Sequence, residues 1–275
     1  MKRFLFGLTL LLGSTAAFAQ DGGADAYNKG LEAYSAKDFA TAYTMFDKAL
    51  SNPGDMEIQA DYYFYAADAA ERSEHFDAAV KYYKEAIKGG AKVDNSKEGA
   101  ARSLVSLGKY DEAMTVDADN AGKWAYQAAA TAYKAKDYTN SATYFGKAVE
   151  LNFNGDNSAL YQYNSLLKLK KGDEAEAAIK AAAEKYPNSK ASKKYSDVIY
   201  KDGVAAYKAG VSILTDANNA VAAGTFTTED DQYKKALADS KAKMKEAVAI
   251  FEDALAVDAA NANAKKYMEA CKAAM

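Results

Sequence analysis

The stretch "NKGLEAYSAKDFATAYTMFDKAL" at residues 28–50 alternates small and aromatic side chains and contains no isoleucine or valine. Phe39 follows a short polar turn, and Ala42, Phe46 and Ala49 come three, seven and ten residues later. These intervals bring side chains back to one face of an α-helix. The stretch therefore predicts two helices, one on each side of the turn, that meet through small and aromatic side chains.

The pattern then recurs along the chain. Its further copies are Phe76, Ala79, Tyr83 and Ala86, then Tyr110 and Ala113, and then Tyr138, Ser141, Phe145 and Ala148. A weaker copy holds Gly172 and Ala177, and a last one is split between residues 200–210 and 243–258. A repeat of this length is typical of solenoids, in which each helical hairpin buries its apolar face against its neighbours.

Composition indicates helices throughout. Hydrophobic residues make up 49% of the chain, alanine is abundant among them, and there are only two prolines. Because alanine is the best helix former and branched aliphatic residues are scarce, we expect an all-α fold.

The first 19 residues predict a cleavable signal peptide. Lys2 and Arg3 precede an apolar run from Phe4 to Leu12, and small residues end at Ala19. This run is too short for a membrane span, which takes about 20 residues, and the layout is that of a secretory signal cut before Gln20. We therefore expect a periplasmic or secreted protein without a membrane span.

Charge and cysteine content exclude some functions. Removing Lys2 and Arg3 from the 35 basic residues leaves 33 against 38 acidic ones, a net charge of −5. This balance argues against nucleic-acid binding and predicts weak salt dependence of any binding. The only cysteine, Cys271, leaves no internal disulfide and is expected to pack in a helix.

The repeat resembles the tetratricopeptide repeat family, whose unit of about 34 residues places a small residue in helix A, an aromatic at the turn, and alanine, aromatic and alanine in helix B. The resemblance covers about residues 24–270 and implies a right-handed superhelical solenoid with a concave face built by A helices. The predicted repeats are 24–53, 58–90, 94–118, 121–152, 157–187 and 192–258, which makes about six. Residues 261–275 resemble the family's capping helix, with Tyr267, Met268 and Cys271 covering the last repeat.

The resemblance also implies which A-helix residues face outward as a partner-binding surface. They are Tyr27, Tyr34, Phe64, Arg102, Tyr126, Tyr133, Lys134, Tyr200 and Tyr207, with Asp68, Glu98 and Lys208 beside them and Gln162, Leu166 and Lys170 in the fifth repeat. Tyrosine suits protein recognition because it presents a flat apolar body with a polar tip. In this family, however, tyrosine is equally common at these positions where it only supports the fold.

No catalytic or metal-binding constellation is evident in the sequence. His75 is the only histidine and lies in a predicted turn. The stretch "DADNAGKW" at residues 117–124 starts like a calcium loop, but Ala128 stands where the loop needs a bidentate acid. We interpret it as a linker with Asp119 or Asn120 as N-cap. We expect no enzyme activity, no cofactor and no metal.

Two functions remain open. The first is a non-enzymatic scaffold of the bacterial cell envelope that holds an extended peptide or a partner helix in a tyrosine-lined groove. The alternative is a glycan-binding accessory protein that uses the same aromatic face, although the only tryptophan, Trp124, lies near a helix start.

An insertion at residues 211–241 splits the last repeat. Val204, Val211 and Asn218 share a heptad spacing on the first arm, as do Tyr233, Ser240 and Ala247 on the second. This pattern predicts an antiparallel coiled-coil hairpin that overhangs the repeat by about 20 Å. Gly224 is expected to end the first helix, Thr227 or Thr228 to cap the second, and Phe226 to be the exposed tip. The hairpin is either a second docking element, for a partner or for a homodimer, or only a longer helix pair.

Overall fold

The computed structural model describes residues 22–275, which form thirteen α-helices and no strand. The all-α prediction is thereby confirmed, whereas the predicted signal peptide lies outside the described residues. Contacts between Cα atoms divide the chain into two compact units, Met1–Ser103 and Leu104–Met275, here unit 1 and unit 2.

Unit 1 consists of two helical hairpins and most of a fifth helix. The hairpins are α1 (Gly22–Ser35) with α2 (Phe39–Ser51) and α3 (Ala60–Arg72) with α4 (Phe76–Lys88), and α5 (Val93–Ser106) crosses the boundary between the units.

Unit 2 continues with eight helices. They are α6 (Tyr110–Val116), α7 (Ala121–Lys134), α8 (Tyr138–Glu150), α9 (Gly155–Lys168), α10 (Gly172–Lys185), α11 (Lys190–Ala222), α12 (Asp231–Val257) and α13 (Ala262–Ala273). A single turn of 3-10 helix, Ala118–Asn120, joins α6 to α7. Helices α7 with α8, α9 with α10, and α11 with α12 pack as hairpins.

Five hairpin turns share one backbone geometry. The residue two places before each second helix has a positive φ of 60–73°, and these residues are Lys37, Glu74, Gly108, Lys136 and Lys170. In each turn the next N–H donates to the carbonyl five residues earlier, as from Asp38 to Ala33 and from Asp137 to Ala132, at 2.9 Å in both. This is the hydrogen bond of a Schellman C-cap, which ends the first helix and starts the chain back along it.

The second helices of four hairpins, α2, α4, α8 and α10, bury the repeated positions. Side chains at the third, seventh and tenth places after its start are at most 2% exposed, in the sets Ala42, Phe46 and Ala49; Ala79, Tyr83 and Ala86; Ser141, Phe145 and Ala148; and Ala175, Ile179 and Ala182. The fifth copy therefore follows the same plan with isoleucine in place of the aromatic, but Ala177, its predicted small position, is exposed, and Ala175 is buried instead. Packing, rather than ring chemistry, is what this position requires.

Glycines let first helices approach the aromatic rings closely. A Cβ on Gly30 would lie 2.6 Å from the Phe46 ring, and one on Gly203 would lie 2.5 Å from the Phe251 ring. Both distances are well inside van der Waals contact, so an added methyl group would force the ring to move. The expected contact of small residues against aromatics is therefore present in the first and the last hairpin.

The linker at residues 117–124 is held by hydrogen bonds to the buried carboxylate of Asp117. The Nε1 of Trp124 donates to the Oδ2 of Asp117 at 2.8 Å, and the Nδ2 of Asn120 donates to both carboxylate oxygens of Asp117 at 3.1 Å. Trp124 has no exposed surface. Asn120 is the N-cap residue of α7, but its side chain makes no capping hydrogen bond because it is turned to Asp117.

The inserted segment continues α11 and α12 as two long helices of 33 and 27 residues. Of the contact residues predicted on α12, Ser240 and Ala247 are buried and Tyr233 is half-buried. On α11 the prediction was wrong, because Val211 is 39% exposed and the buried residues of this stretch are Gly203, Ala206, Gly210 and Ala217. Small residues at those places allow close contact, as in the 2.8 Å hydrogen bond from the Ser240 hydroxyl to the Gly210 carbonyl.

The tip of this long hairpin also differs from the prediction in part. Gly224, with φ of 72°, follows the end of α11 as expected. The N-cap residue of α12 is Asp230, not Thr227 or Thr228. The N–H and hydroxyl of Thr227 both donate to the Asp230 carboxylate, which places the threonine one turn before the helix. Phe226 is half-buried rather than fully exposed.

Helix α13 covers the end of unit 2. Asn261 caps it by accepting the Ala264 N–H at 3.1 Å, and its Nδ2 donates to the Ser196 hydroxyl at 2.9 Å. Cys271 is fully buried, while Tyr267 and Met268 pack on the cluster around Phe251. Within residues 22–275, no helix is long and apolar enough to cross a bilayer.

Candidate functional site

In unit 1, two of the predicted partner-binding tyrosines are engaged internally. Tyr27 is only 8% exposed and stacks on Tyr62 with ring centroids 4.0 Å apart, so its prediction as a surface residue was wrong. The Tyr34 hydroxyl donates to the Oδ2 of Asp68 at 2.5 Å, and Arg72 donates to the same oxygen at 2.7 Å. Burial, followed by the hydrogen bond to Asp68, raises the pKa of Tyr34.

Arg102, also predicted to bind a partner, pairs with a carboxylate of its own unit. Its Nε and Nη2 donate to the two oxygens of Glu71 at 2.7 and 3.1 Å, in the bidentate geometry that suits guanidinium. The Tyr83 hydroxyl donates to Glu71 at 2.7 Å. Phe64 is half-buried, and the Nζ of Lys92 lies 4.3 Å from its ring centroid.

In unit 2, the predicted residues Tyr126 and Tyr133 belong to a row of contacting rings between α7 and α9. Tyr126 meets Phe145 at 5.5 Å, Phe145 meets Tyr161 at 5.1 Å, and Tyr161 meets Tyr133 at 6.4 Å between ring centroids. Tyr126 and Tyr133 are half-buried, whereas Tyr161 is 43% exposed. The row thus has one exposed ring, that of Tyr161, which stacks on Phe145.

The outward side chains of α7, α9 and α11 lie opposite the buried face of each helix. Their spacing of four and three residues keeps each set on one stripe. We call these sets the outer stripes: Lys123, Gln127, Ala130 and Lys134 on α7; Asn157, Tyr161, Asn164 and Lys168 on α9; and Lys190, Lys194, Asp197, Lys201, Val204 and Lys208 on α11.

Two contacts show that these stripes are neighbours. The rings of Tyr133 and Tyr161 join α7 to α9, and the Nζ of Lys190 donates to the Oδ1 of Asn157 at 3.3 Å, which joins α9 to α11. The predicted residue Lys134 is exposed on the first stripe.

Tyr200 and Tyr207 lie beside the α11 stripe, against the capping helix. Tyr267 of α13 meets them edge to face, at 5.7 and 5.4 Å between centroids. Both rings are therefore partly covered by α13, and they lie next to the stripe rather than within it.

The α9 stripe is the part that sequence reasoning missed. The residues predicted to face outward were Gln162, Leu166 and Lys170, but Leu166 is buried and Gln162 faces Gly146 of α8. The prediction was shifted by two residues, because without an aromatic at its turn the fifth copy was aligned on Glu174 rather than on Gly172, where α10 starts. The signal that could have found the stripe is its 34-residue offset from Lys123, Gln127, Ala130 and Lys134 on α7.

Catalytic chemistry has little support among the described residues. His75 is exposed at the start of α4, where its Nδ1 lies 3.0 Å from the Ser73 hydroxyl. Within residues 22–275 no three His, Cys, Asp or Glu side chains lie where they could hold a metal ion. A cleft of about 750 Å³ between α10, α11 and α12 has Tyr195 and Ile199 in its wall, with the opposite charges of Lys180 and Asp253 at its edge.

The hairpins share their turn geometry, their buried positions and, between the first copies, a spacing close to 34 residues. They are tetratricopeptide-like. No protein-family model and no curated protein matched the chain. The fold assignment therefore rests on the chain's own helix pairs.

Solved structures, two of them tetratricopeptide repeat proteins, are similar to the chain at low identity. A protein from Bacteroides fragilis NCTC 9343 is 17% identical, over 92% of this chain and 99% of that one, with a TM-score of 0.32. A protein from Parabacteroides merdae ATCC 43184 is 13% identical, over 91% and 99%, with a TM-score of 0.36. A Rap protein in complex with competence and sporulation factor is 15% identical, over 92% and 76%, with a TM-score of 0.31.

Proposed function

We propose that the protein is a non-enzymatic scaffold of the bacterial cell envelope that binds an extended segment of another protein on the outer stripes of unit 2. The observation that carries this proposal is the α9 stripe, where the exposed ring of Tyr161 lies between the amide side chains of Asn157 and Asn164. A flat ring and amides together suit a peptide, because the ring takes an apolar side chain and amides both donate and accept hydrogen bonds.

The amides favour an extended partner over a helical one. A helix satisfies its own backbone N–H and C=O groups, so it offers amide side chains little to pair with. An extended segment presents unpaired backbone groups at regular intervals, and Gln127, Asn157 and Asn164 are placed along two neighbouring stripes to meet them.

The glycan alternative has no tryptophan on which a sugar ring could stack. Trp124, the only tryptophan, is fully buried with its Nε1 bonded to Asp117. Stacking on a sugar ring would fall to Tyr161, since Tyr126 and Tyr133 are half-buried against other rings.

A displayed library of random nonapeptides, with a glycan array beside it, tests the proposal. The full-length mature protein should enrich peptides, and replacing Tyr161 with alanine should abolish the enrichment. Leu167→Ala is the matched control, because Leu167 is 44% exposed on the same helix but lies off the stripe. Peptide enrichment that survives Tyr161→Ala, or selective binding to glycans alone, would contradict the proposed site.

A further inference from the structure

The outer stripes of unit 2 carry a local positive charge that does not appear in the net charge of the unit. Unit 2 contains 23 lysines against 23 aspartates and glutamates, so it is neutral overall. Its outer stripes hold seven lysines and a single acid, Asp197. Lysine therefore outnumbers acid seven to one on the stripes, although the two are equal in number over unit 2.

The few carboxylates close to the stripes have partners in the fold. Asp156, beside the α9 stripe, accepts the backbone N–H groups of Lys190 and Ala191 at 3.2 and 2.7 Å and so caps α11. Asp197 is 3.4 Å from the Nδ2 of Asn261. Asp197 lies on the α11 stripe between Lys194 and Lys201, whereas the α9 stripe holds the exposed Lys168, seven residues after Tyr161, and no acid.

We propose that the segment bound on the outer stripes is acidic: an extended peptide whose aspartates or glutamates lie against the lysines while an apolar side chain packs on Tyr161. This rests on the proposed function and adds the chemical class of the partner. Charge complementarity at the rim of an interface steers association and selects partners. Internal acidic side chains supply the charge, so a free C-terminal carboxylate is not required.

The residue types disfavour other anionic partners. Phosphate and nucleic acids are typically bound by arginine, whose planar guanidinium matches phosphate oxygens in pairs. Unit 2 contains no arginine in its sequence, and its stripes offer lysine, amide and tyrosine side chains instead. Lysine is a flexible point charge, which suits carboxylates at irregular positions along a peptide.

Three labelled nonapeptides, acetylated and amidated at their ends, test this on the full-length mature protein. The first alternates glutamate with phenylalanine and leucine, the second has glutamine for each glutamate, and the third has lysine. Fluorescence anisotropy at low salt should show the acidic peptide binding about tenfold more tightly than the glutamine peptide, and the lysine peptide binding least. Raising the salt should narrow that difference.

Variants locate the effect. Lys168→Gln with Lys201→Gln should weaken binding of the acidic peptide about tenfold and leave the glutamine peptide unchanged. Lys235→Gln with Lys245→Gln, exposed on α12, is the matched control and should change neither. Circular dichroism melts confirm that each double variant is folded.

The outcomes separate this inference from the proposed function. Equal binding of the acidic and glutamine peptides, both lost in Tyr161→Ala, would overturn the acidic class and leave a peptide site. No binding of any peptide would overturn both. Displacement of the acidic peptide by heparin or phosphatidylglycerol vesicles at lower concentration than by unlabelled acidic peptide would assign the surface to another polyanion and overturn the inference.

Discussion

Ala79 is a residue at which volume alone should decide stability. It is fully buried three residues after the start of α4, in the place that Ala42 and Ala175 occupy in their own hairpins. Ala79→Leu should lower the free energy of unfolding by about 1–3 kcal/mol, because a packed site must move to admit three more carbons. Urea denaturation measures it.

Ala249→Leu is the control for this substitution, since Ala249 is exposed in the middle of α12. It should leave the free energy of unfolding nearly unchanged. A neutral Ala79→Leu would mean that the repeated small positions tolerate bulk, and the packing account of the hairpins would fail.

Buried tyrosines should make the protein sensitive to alkali. Burial is the largest cause that raises the pKa of Tyr27, Tyr34, Tyr82 and Tyr83, and the last three also donate to carboxylates. A raised folded-state pKa gives stability that is complete below the unfolded value of about 10 and is lost as the pH rises above it.

Urea denaturation at pH 8, 10 and 11 should therefore show stability falling steadily above pH 10, with tyrosinate absorbance appearing on unfolding. Tyr83→Phe should reduce the dependence, because one titrating group is removed. An unchanged stability between pH 8 and 11 would show that these hydroxyls ionise as readily in the folded chain as in the unfolded one.

At the scale of helices, the sequence predicts well wherever large side chains mark a position. Phe39, Phe76 and Tyr138 gave the starts of α2, α4 and α8. The α11 contact face was assigned one residue away, because glycine and alanine pack there while bulkier neighbours such as Val211 stay outside. A hydrophobic pattern assigns valine rather than glycine to a buried position. Two helices in close contact instead bury glycine, because it has no side chain to keep them apart.

The candidate site shows the same limit. Lys134 was assigned to the surface and is exposed there, but the α9 stripe escaped because no aromatic fixes the register of the fifth copy. Internal pairing in unit 1 was also hidden from sequence, since Tyr34 and Asp68 meet across two hairpins. Polar side chains that the sequence assigns to a binding surface can instead form hydrogen bonds with each other.

The hairpin formed by residues 211–241 is an element whose role can be tested by removal. Replacing it with a four-residue turn should leave a folded protein, because the contacts of Gly203 with Phe251 and of α13 with α11 lie outside it. We predict that the parent self-associates through this hairpin and that the shortened chain is monomeric by sedimentation velocity. Phe226→Ser should weaken the association without shortening either helix. An identical oligomeric state in parent and shortened chains would make the hairpin purely structural.

At the scale of the whole molecule, an average charge misleads. Near-balance of lysine with acid predicted weak salt dependence, yet the outer stripes of unit 2 collect lysines on one surface. Binding should therefore respond to salt more than the net charge of −5 for the mature chain implies, since screening acts on local charges.

Export is the last property that the whole chain should show. The order of Lys2 and Arg3, an apolar run and Ala17-Phe18-Ala19 predicts cleavage before Gln20. Expressed from its full sequence in a bacterium, the protein should be found in the periplasmic or secreted fraction with a mass that begins at Gln20. Ala19→Arg should block cleavage, because the cut needs a small residue immediately before it, and should leave the longer mass on the membrane fraction. A cytoplasmic protein of full-length mass from the unaltered sequence would contradict the envelope assignment and would move the search for its acidic partner into the cytoplasm.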